Sequence, residues 1–456
     1  MFIKLNVPPV VKQMFAASGP LIVTLGSGMT VGFSAVLLPQ LKDDHSAIRI
    51  DSSQESWIAS MAALPMAAGS VLGGISMDKM GRKTTNLLIC VPFVIGWAAV
   101  SLAKSLPAVF VGRLLTGLCT GMMGPPSAVY IAEVTEPQYR GAALAMISFS
   151  ISAGILAVHT MGTFLDWRLV SALCSLVPFA GYLIIWFTPE SPIWLREKGL
   201  VESAERAHSR LSGKPITSVD CYKKTSPTVT AEQKPNFWKC IGRTSFLEPL
   251  VVLVTFFFVQ QFSGVNAVAF YSVTLLRRIS PELNEYYSTI ALDVIRLAVS
   301  ILACCLTRKF GRRPLAVISA AGTSISLLCL AVSVQNNAPS IIKAATASPI
   351  TSPNFNIIPL LSIVAYMLFV NIGLVPLPWI MAGEMFPSYC RELGSGLSTS
   401  FGFIMFYLVI QFSPLMLANI GTSMTFTIFG AVAGTGAIFL YLCLPETKNK
   451  TINDVS

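Results

Sequence analysis

Twelve stretches of about twenty residues with almost no charge run through this chain, and they leave it few ways to fold. They fall near 15–38, 57–77, 85–103, 108–132, 141–163 and 168–187, then near 247–276, 286–306, 314–334, 358–383, 395–418 and 423–443. Each is long enough to cross a bilayer as a helix. At 456 residues the chain has the length of two or three soluble domains, yet 53% hydrophobic and 12% charged residues exclude that class. The reading is an all-α membrane protein of twelve transmembrane helices. Met1 to Lys12 has no short apolar core before a small-residue cleavage site, so no cleaved signal peptide is expected.

The second constraint is duplication. Gly73 to Lys83 forms a glycine-bearing cationic turn between two apolar runs, and Arg308-Lys309-Phe310-Gly311-Arg312-Arg313 repeats it. Glu133 precedes Arg140 by seven residues, as Glu384 precedes Arg391, and Pro189-Glu190-Ser191 is answered by Pro445-Glu446-Thr447. The offsets are 230, 251 and 256 residues in the same order, which indicates a duplicated half. Residues 1–188 and 247–456 are therefore read as two six-helix bundles. Between them, 189–246 holds ten Lys or Arg residues and a Glu/Arg-rich stretch at 197–210 suited to short surface helices.

A net charge of +10 could mean nucleic acid, but the cations collect in alternate loops, as topology demands. That pattern puts both termini in the cytoplasm and predicts no nucleic-acid partner. Pro39 to Ser56 and Ala338 to Pro353 are read as outer loops. Ten cysteines, single apart from Cys304-Cys305, show neither a disulfide framework nor metal spacing, and are read as small buried apolar residues. No nucleophile–base set or phosphate loop stands out, so the chain does not read as an enzyme, and no cofactor or metal is implied. Glycines and prolines crowd the spans, among them Gly117, Gly121, Gly124, Pro125 and Pro126. Small residues let helices approach closely, and broken helices lining a midplane site between repeated halves describe a secondary transporter.

Charged residues at the span ends are candidates for gating. Asp78, Arg82, Arg312 and Arg313 sit at helix ends, where an ion pair to a neighbouring helix would act as a latch in one transport state. The pairs Glu133 with Arg140 and Glu384 with Arg391 are read as salt bridges that close the cytoplasmic side. Arg113, near the outer start of the fourth span, would either snorkel to the interface or join an ion pair.

At this point the chain resembles the sugar porters of the major facilitator superfamily, nearest the facilitated trehalose and glucose transporter-like branches. The resemblance runs over nearly the whole length. It rests on Asp78 to Lys83, Gly112-Arg113, Tyr130 to Glu133, Arg140-Gly141 and Pro189 to Leu195. Further on it rests on Gln260 to Asn266, Pro376 to Trp379, Glu384 and Pro445 to Asn449. It implies the major facilitator fold of two pseudo-symmetric bundles, alternating access, and a hexose or disaccharide site. Gln260, Gln261, Asn266 and Trp379 match sugar-contacting positions, and Phe270 and Tyr271 match an outer-gate aromatic pair. The residue types agree with that role. Amides both donate and accept toward hydroxyls, and an indole offers a face for a ring's C–H surface; helix–helix hydrogen bonding and plain packing are the alternative uses.

The chain also departs from that pattern. Ser148 and Gly402 stand where the resemblance implies a glutamine and an asparagine, and Arg308 stands where it implies an acid. Arg296 takes the place of an asparagine well inside the eighth span, with Asp293 one turn away. Either the two pair structurally, or Arg296 touches a polar or anionic ligand. His159 in the fifth span reads as a hydrogen-bonded packing residue. The first span has no acid at its middle, where proton-coupled relatives carry one, so the expected activity is facilitated diffusion of a sugar at the cell membrane. Two further readings stay open: a carrier of organic anions or other small polar solutes using Arg296, and a non-transporting sugar sensor. The expected partners are a sugar and membrane lipid; the sequence sets no oligomeric state.

Overall fold

Each apolar run is a helix in the computed structural model, which describes residues 8–42, 48, 50–212, 244–279, 284–346, 357–386 and 391–447. Among the described residues twelve helices are long and apolar enough to span a membrane. In chain order they are α1 (Pro9–Leu41), α2 (Gln54–Met80), α3 (Arg82–Ser101), α4 (Leu106–Val134), α5 (Gln138–Phe164) and α6 (Trp167–Phe187). The second half holds α7 (Thr244–Phe270), α8 (Glu285–Thr307), α9 (Arg312–Asn336), α10 (Ile358–Glu384), α11 (Gly394–Asn419) and α12 (Gly421–Cys443). An even number of crossings returns the chain to the face it started from, here called the termini face. Helical backbone continues from α9 as far as Thr346, into the stretch expected to be an outer loop.

Two short helices, Pro192–Glu197 and Val201–Ser212, follow the first bundle where surface helices were expected. The second lies against the start of α1: Ala16 packs with Leu211, and Arg210 Nη2 donates to the Phe187 carbonyl at 3.2 Å. Burial there lowers the pKa of His208, with Glu136 opposing the shift. The rest of the linker expectation, at 213–243, falls outside the described residues.

Glycine sets the packing, and it does so differently in the two halves. In the first, backbones touch: a Cβ on Gly117 would lie 2.0 Å from the Ala62 carbonyl oxygen, and one on Gly121 would lie 2.2 Å from that of Met66. From the facing helix, Gly69 and Gly73 return the approach onto the carbonyls of Leu118 and Met122. The same reciprocity joins α1 to α5 through Gly28 and Gly154. In the second half rings fill glycine notches: Phe369 at Gly322, Phe257 at Gly402, Phe429 at Gly264. No close approach found at a described glycine crosses from one half to the other.

Across the halves the described hydrogen bonds are few and made by side chains. Ser60 donates to Gln411 at 2.5 Å, and the hydroxyls of Ser70 and Ser400 lie 3.0 Å apart. Ser400 also reaches the Ala67 carbonyl at 3.3 Å, and His159 meets Asp293. Phe164 and Tyr287 approach across the same seam at the face opposite the termini.

Pro125 and Pro126 leave α4 helical throughout, whereas α7 and α10 are interrupted. In α7 the break is Ser263-Gly264, with Gly264 at φ +79°, a conformation that glycine takes without penalty. In α10 a five-residue π segment, Val370–Leu374, precedes Pro376. Expected burial fails for some cysteines: Cys90, Cys119 and Cys174 are buried, but Cys305, Cys329 and Cys443 are exposed on their helices.

Candidate functional site

The break in α7 gathers the three amides. Because the helix turns at Gly264, Asn266 swings back on Gln261 and donates to its side-chain oxygen at 2.5 Å. Gln261 donates to Gln260 at 3.3 Å, and Gln260 donates to the Val375 carbonyl at 2.9 Å, within the interrupted part of α10. All three donate in one sense. The series therefore ends in the Asn266 amide oxygen, an acceptor to which no described residue donates. Both glutamines are buried and Asn266 is half-buried. Tyr366 ties the same two breaks together by donating to the Ser263 carbonyl at 3.1 Å.

Trp379 stands on α10 beyond the break, edge-on to Phe257 at 5.1 Å and inclined to Phe403 at 5.3 Å. Its 40% exposure leaves indole surface for a further contact. The absent asparagine at Gly402 has a steric reason: a Cβ there would come within 2.7 Å of the Phe257 ring, which fills the space. Ser148 is half-buried in α5. Phe270 and Tyr271 are buried against α11; Phe270 packs edge-on to Phe406, and Tyr271 donates to the Ile410 carbonyl at 3.2 Å.

Arg296 does not form the tight pair with Asp293 that its spacing suggests. Its Nη1 lies 3.9 Å from Asp293 Oδ1, its Nη2 reaches only the Met367 sulfur at 3.8 Å, and its buried Nε has no partner. Asp293 instead turns its other oxygen to His159 Nδ1 on the opposite half, while His159 Nε2 lies 3.0 Å from the Gly32 carbonyl. His159 is thus more than packing. Sequence gave no signal for this bridge, whose ends are 134 residues apart.

Arg113 neither snorkels nor joins a described ion pair. Fully buried, it donates to the Thr30 carbonyl at 3.0 Å and to the Ser34 hydroxyl at 2.5 Å, and lies over the Phe33 ring.

At the termini face the duplicated motifs form one device twice. Glu133 receives Arg82 through Nε at 3.1 Å and Nη2 at 3.0 Å, and the Ser191 hydroxyl at 2.5 Å. Glu384 receives Arg312 Nη2 at 3.1 Å and the Thr447 hydroxyl at 2.6 Å. Glu190 accepts the backbone N–H of Lys83 at 2.9 Å, and Glu446 accepts that of Arg312 at 2.9 Å. Each carboxylate thereby caps the N-terminus of a span, where unsatisfied N–H groups and the helix dipole favour an anion. Lys83 Nζ reaches the Trp186 carbonyl at 3.0 Å, and Arg313 Nε reaches that of Tyr441 at 3.0 Å.

These partners correct the expected pairing. Glu133 takes Arg82, because the extended residues Thr135 and Glu136 break the helix before Arg140 and send the two side chains to different neighbours. Arg140 is left with a buried Nε that has no partner. Glu384 takes Arg312; the side chain of Arg391 lies outside the described residues. Asp78 ends α2 with its carbonyl accepting from the Trp194 indole at 3.2 Å. The capping glutamates were legible only as markers of repetition. That each follows a span and repeats in step with the glycine turn was the signal that they meet it.

Residues 20–456 match the family described as "Sugar (and other) transporter". Among curated relatives, the facilitated trehalose transporter Tret1 of Culex quinquefasciatus is 28% identical over 98% of this chain and 86% of its own. Tret1 of Apis mellifera ligustica is 26% identical over 97% and 87%. Among solved structures, the proton:xylose symporter XylE bound to 6-bromo-6-deoxy-D-glucose superposes with a TM-score of 0.76 at 22% identity, over 97% of this chain and 98% of that one. A partially occluded inward-open conformation of XylE from E. coli gives 0.75 at 21% identity, over 97% and 100%. These likenesses fix the twelve-helix major facilitator architecture.

Proposed function

The chain belongs to the sugar (and other) transporter family, and from that premise we propose that it carries a sugar, a hexose or a trehalose-like disaccharide, by facilitated diffusion through alternating access. The observation that carries this reading is the amide series at the α7 break. Its free acceptor end and the half-open indole of Trp379 suit a hydroxyl-rich ring with one apolar face. The trehalose-transporting relatives favour the disaccharide end of the range.

Access alternates by one half rocking against the other. The cross-half contacts of His159 with Asp293 and of Phe164 with Tyr287 hold the halves together toward the face opposite the termini. The ion pairs Arg82–Glu133 and Arg312–Glu384 keep helix ends together within each half, so that each swings as a body. Arg140, whose buried Nε has no partner among the described residues, is a cation available to bridge the halves when the termini face shuts. Basic residues in alternate loops support a cytoplasmic termini face, and the carrier is read as one of the cell membrane.

The test is uptake of labelled glucose and trehalose by proteoliposomes, with Gln261→Ala beside the wild type. The variant leaves Asn266 and Gln260 without their shared partner and should raise the half-saturation concentration about tenfold, the scale of one lost ligand hydrogen bond. Its folded yield should stay near normal. Saturable binding without counterflow in the wild type would make the protein a sensor, and unaltered kinetics in the variant would make the amides mere helix contacts.

A further inference from the structure

In the membrane-spanning core the Arg296 guanidinium has no oxygen within hydrogen-bond reach among the described residues. His159 lies between two acceptors, the Gly32 carbonyl at Nε2 and the Asp293 carboxylate at Nδ1. Asp293 thus gives one oxygen to His159, and only its other oxygen is turned toward Arg296, which is 4% exposed. Its Nε has no partner, its Nη2 has only a thioether, and Asp293 is 3.9 Å away. A buried guanidinium in that position is costly unless an anion or hydrogen-bond acceptor meets it.

The amides lie close by. Met367, against Arg296, follows Tyr366, which bonds the Ser263 carbonyl at the break that carries Asn266. Arg296 and the amide series therefore border the same stretch of α10.

We infer that Arg296 is the recognition group for a carboxylate, and that the solute preferred at this site is an acidic sugar whose hydroxyls face the amides and whose carboxylate meets the Arg296 guanidinium beside the His159–Asp293 pair. This rests on the sugar-carrier reading and narrows its substrate class. The planar guanidinium edge matches the two oxygens of a carboxylate.

Wild-type proteoliposomes are offered labelled glucose, gluconate, glucuronate and glucose 6-phosphate, with the membrane potential set by a potassium gradient and ionophore. Saturable uptake of gluconate or glucuronate is expected, faster with the interior positive, and competing with glucose. In Arg296→Gln the ratio of gluconate to glucose half-saturation should rise at least tenfold, about 1.4 kcal/mol. If the variant yields no folded protein, competition and voltage dependence in the wild type decide the matter. Carriage of glucose with no uptake of, or competition by, either sugar acid overturns the inference and leaves the sugar-carrier reading standing. Glucose 6-phosphate taken up as well as gluconate also overturns it. If no sugar of any charge is bound or carried, both readings fall.

Discussion

Gly117→Val will leave little monodisperse protein in a detergent extract, while Gly124→Val, two turns further along α4, will keep the yield near wild type. At Gly117 even the first added carbon would sit 2.0 Å from the Ala62 carbonyl oxygen, and backbone cannot rotate away as a side chain can. At Gly124 nothing lies within 4 Å. Both changes relieve the same glycine penalty in a helix, up to about 1 kcal/mol, so propensity alone would stabilise both. Overpacking at Gly117 reverses the sign: a well-packed site loses about 1–3 kcal/mol per forced group, and here the whole α2–α4 contact has to separate. Fluorescence-detected size exclusion would read the difference. Equal yields would mean that the two helices are not held at glycine distance.

The second large effect is expected at Glu133. Glu133→Ala leaves the Arg82 guanidinium buried with only the Met77 carbonyl, at 3.5 Å, still accepting from it, and removing one partner of a buried pair costs about 3–5 kcal/mol. Side-chain exposures of 9% for Arg82 and 12% for Glu133 put this pair in that regime. In the duplicated pair, Arg312 at 18% and Glu384 at 33% are wetter, so Glu384→Ala should lose less. Thermal midpoints of the purified proteins should fall in that order, with Glu133→Gln between Glu133→Ala and the wild type because it keeps an acceptor for Arg82. A larger fall for Glu384→Ala would show that the two halves do not share their load as the burial suggests.

The architecture was legible because a bilayer turns composition into geometry. Uncharged runs of that length have little choice but to be spanning helices, and the repeated motifs announced the duplication before any contact was known. The seventh-span amides were legible for a related reason, since amides are sparse in such runs and their clustering around a glycine is hard to ignore. Pairing was less so. Glu133 and Arg140 are near in sequence but separated by a chain reversal, and the partner that matters, Arg82, is 51 residues away. His159 reads in the sequence as a hydrogen-bonded packing residue; hydrogen-bonded it is, but that one partner lies across the halves shows only once α5 approaches α8 and supplies Asp293. Gly402 read as a missing ligand group; with Phe257 in place it is a notch shaped for a ring.

The contrast between the glycine contacts, all inside one half or the other, and the side-chain contacts between halves sets how damage spreads through this molecule. Each bundle behaves as a welded casting, where an added methyl group is an all-or-nothing fault seen in abundance. The seam is a bearing surface of hydroxyls, one amide and a histidine–aspartate pair, where changes alter how fast the parts slide and which position they rest in. Substitutions found to change turnover in an otherwise well-made protein should therefore map to Ser60, Ser70, His159, Asp293, Ser400 and Gln411, and rarely to the glycines.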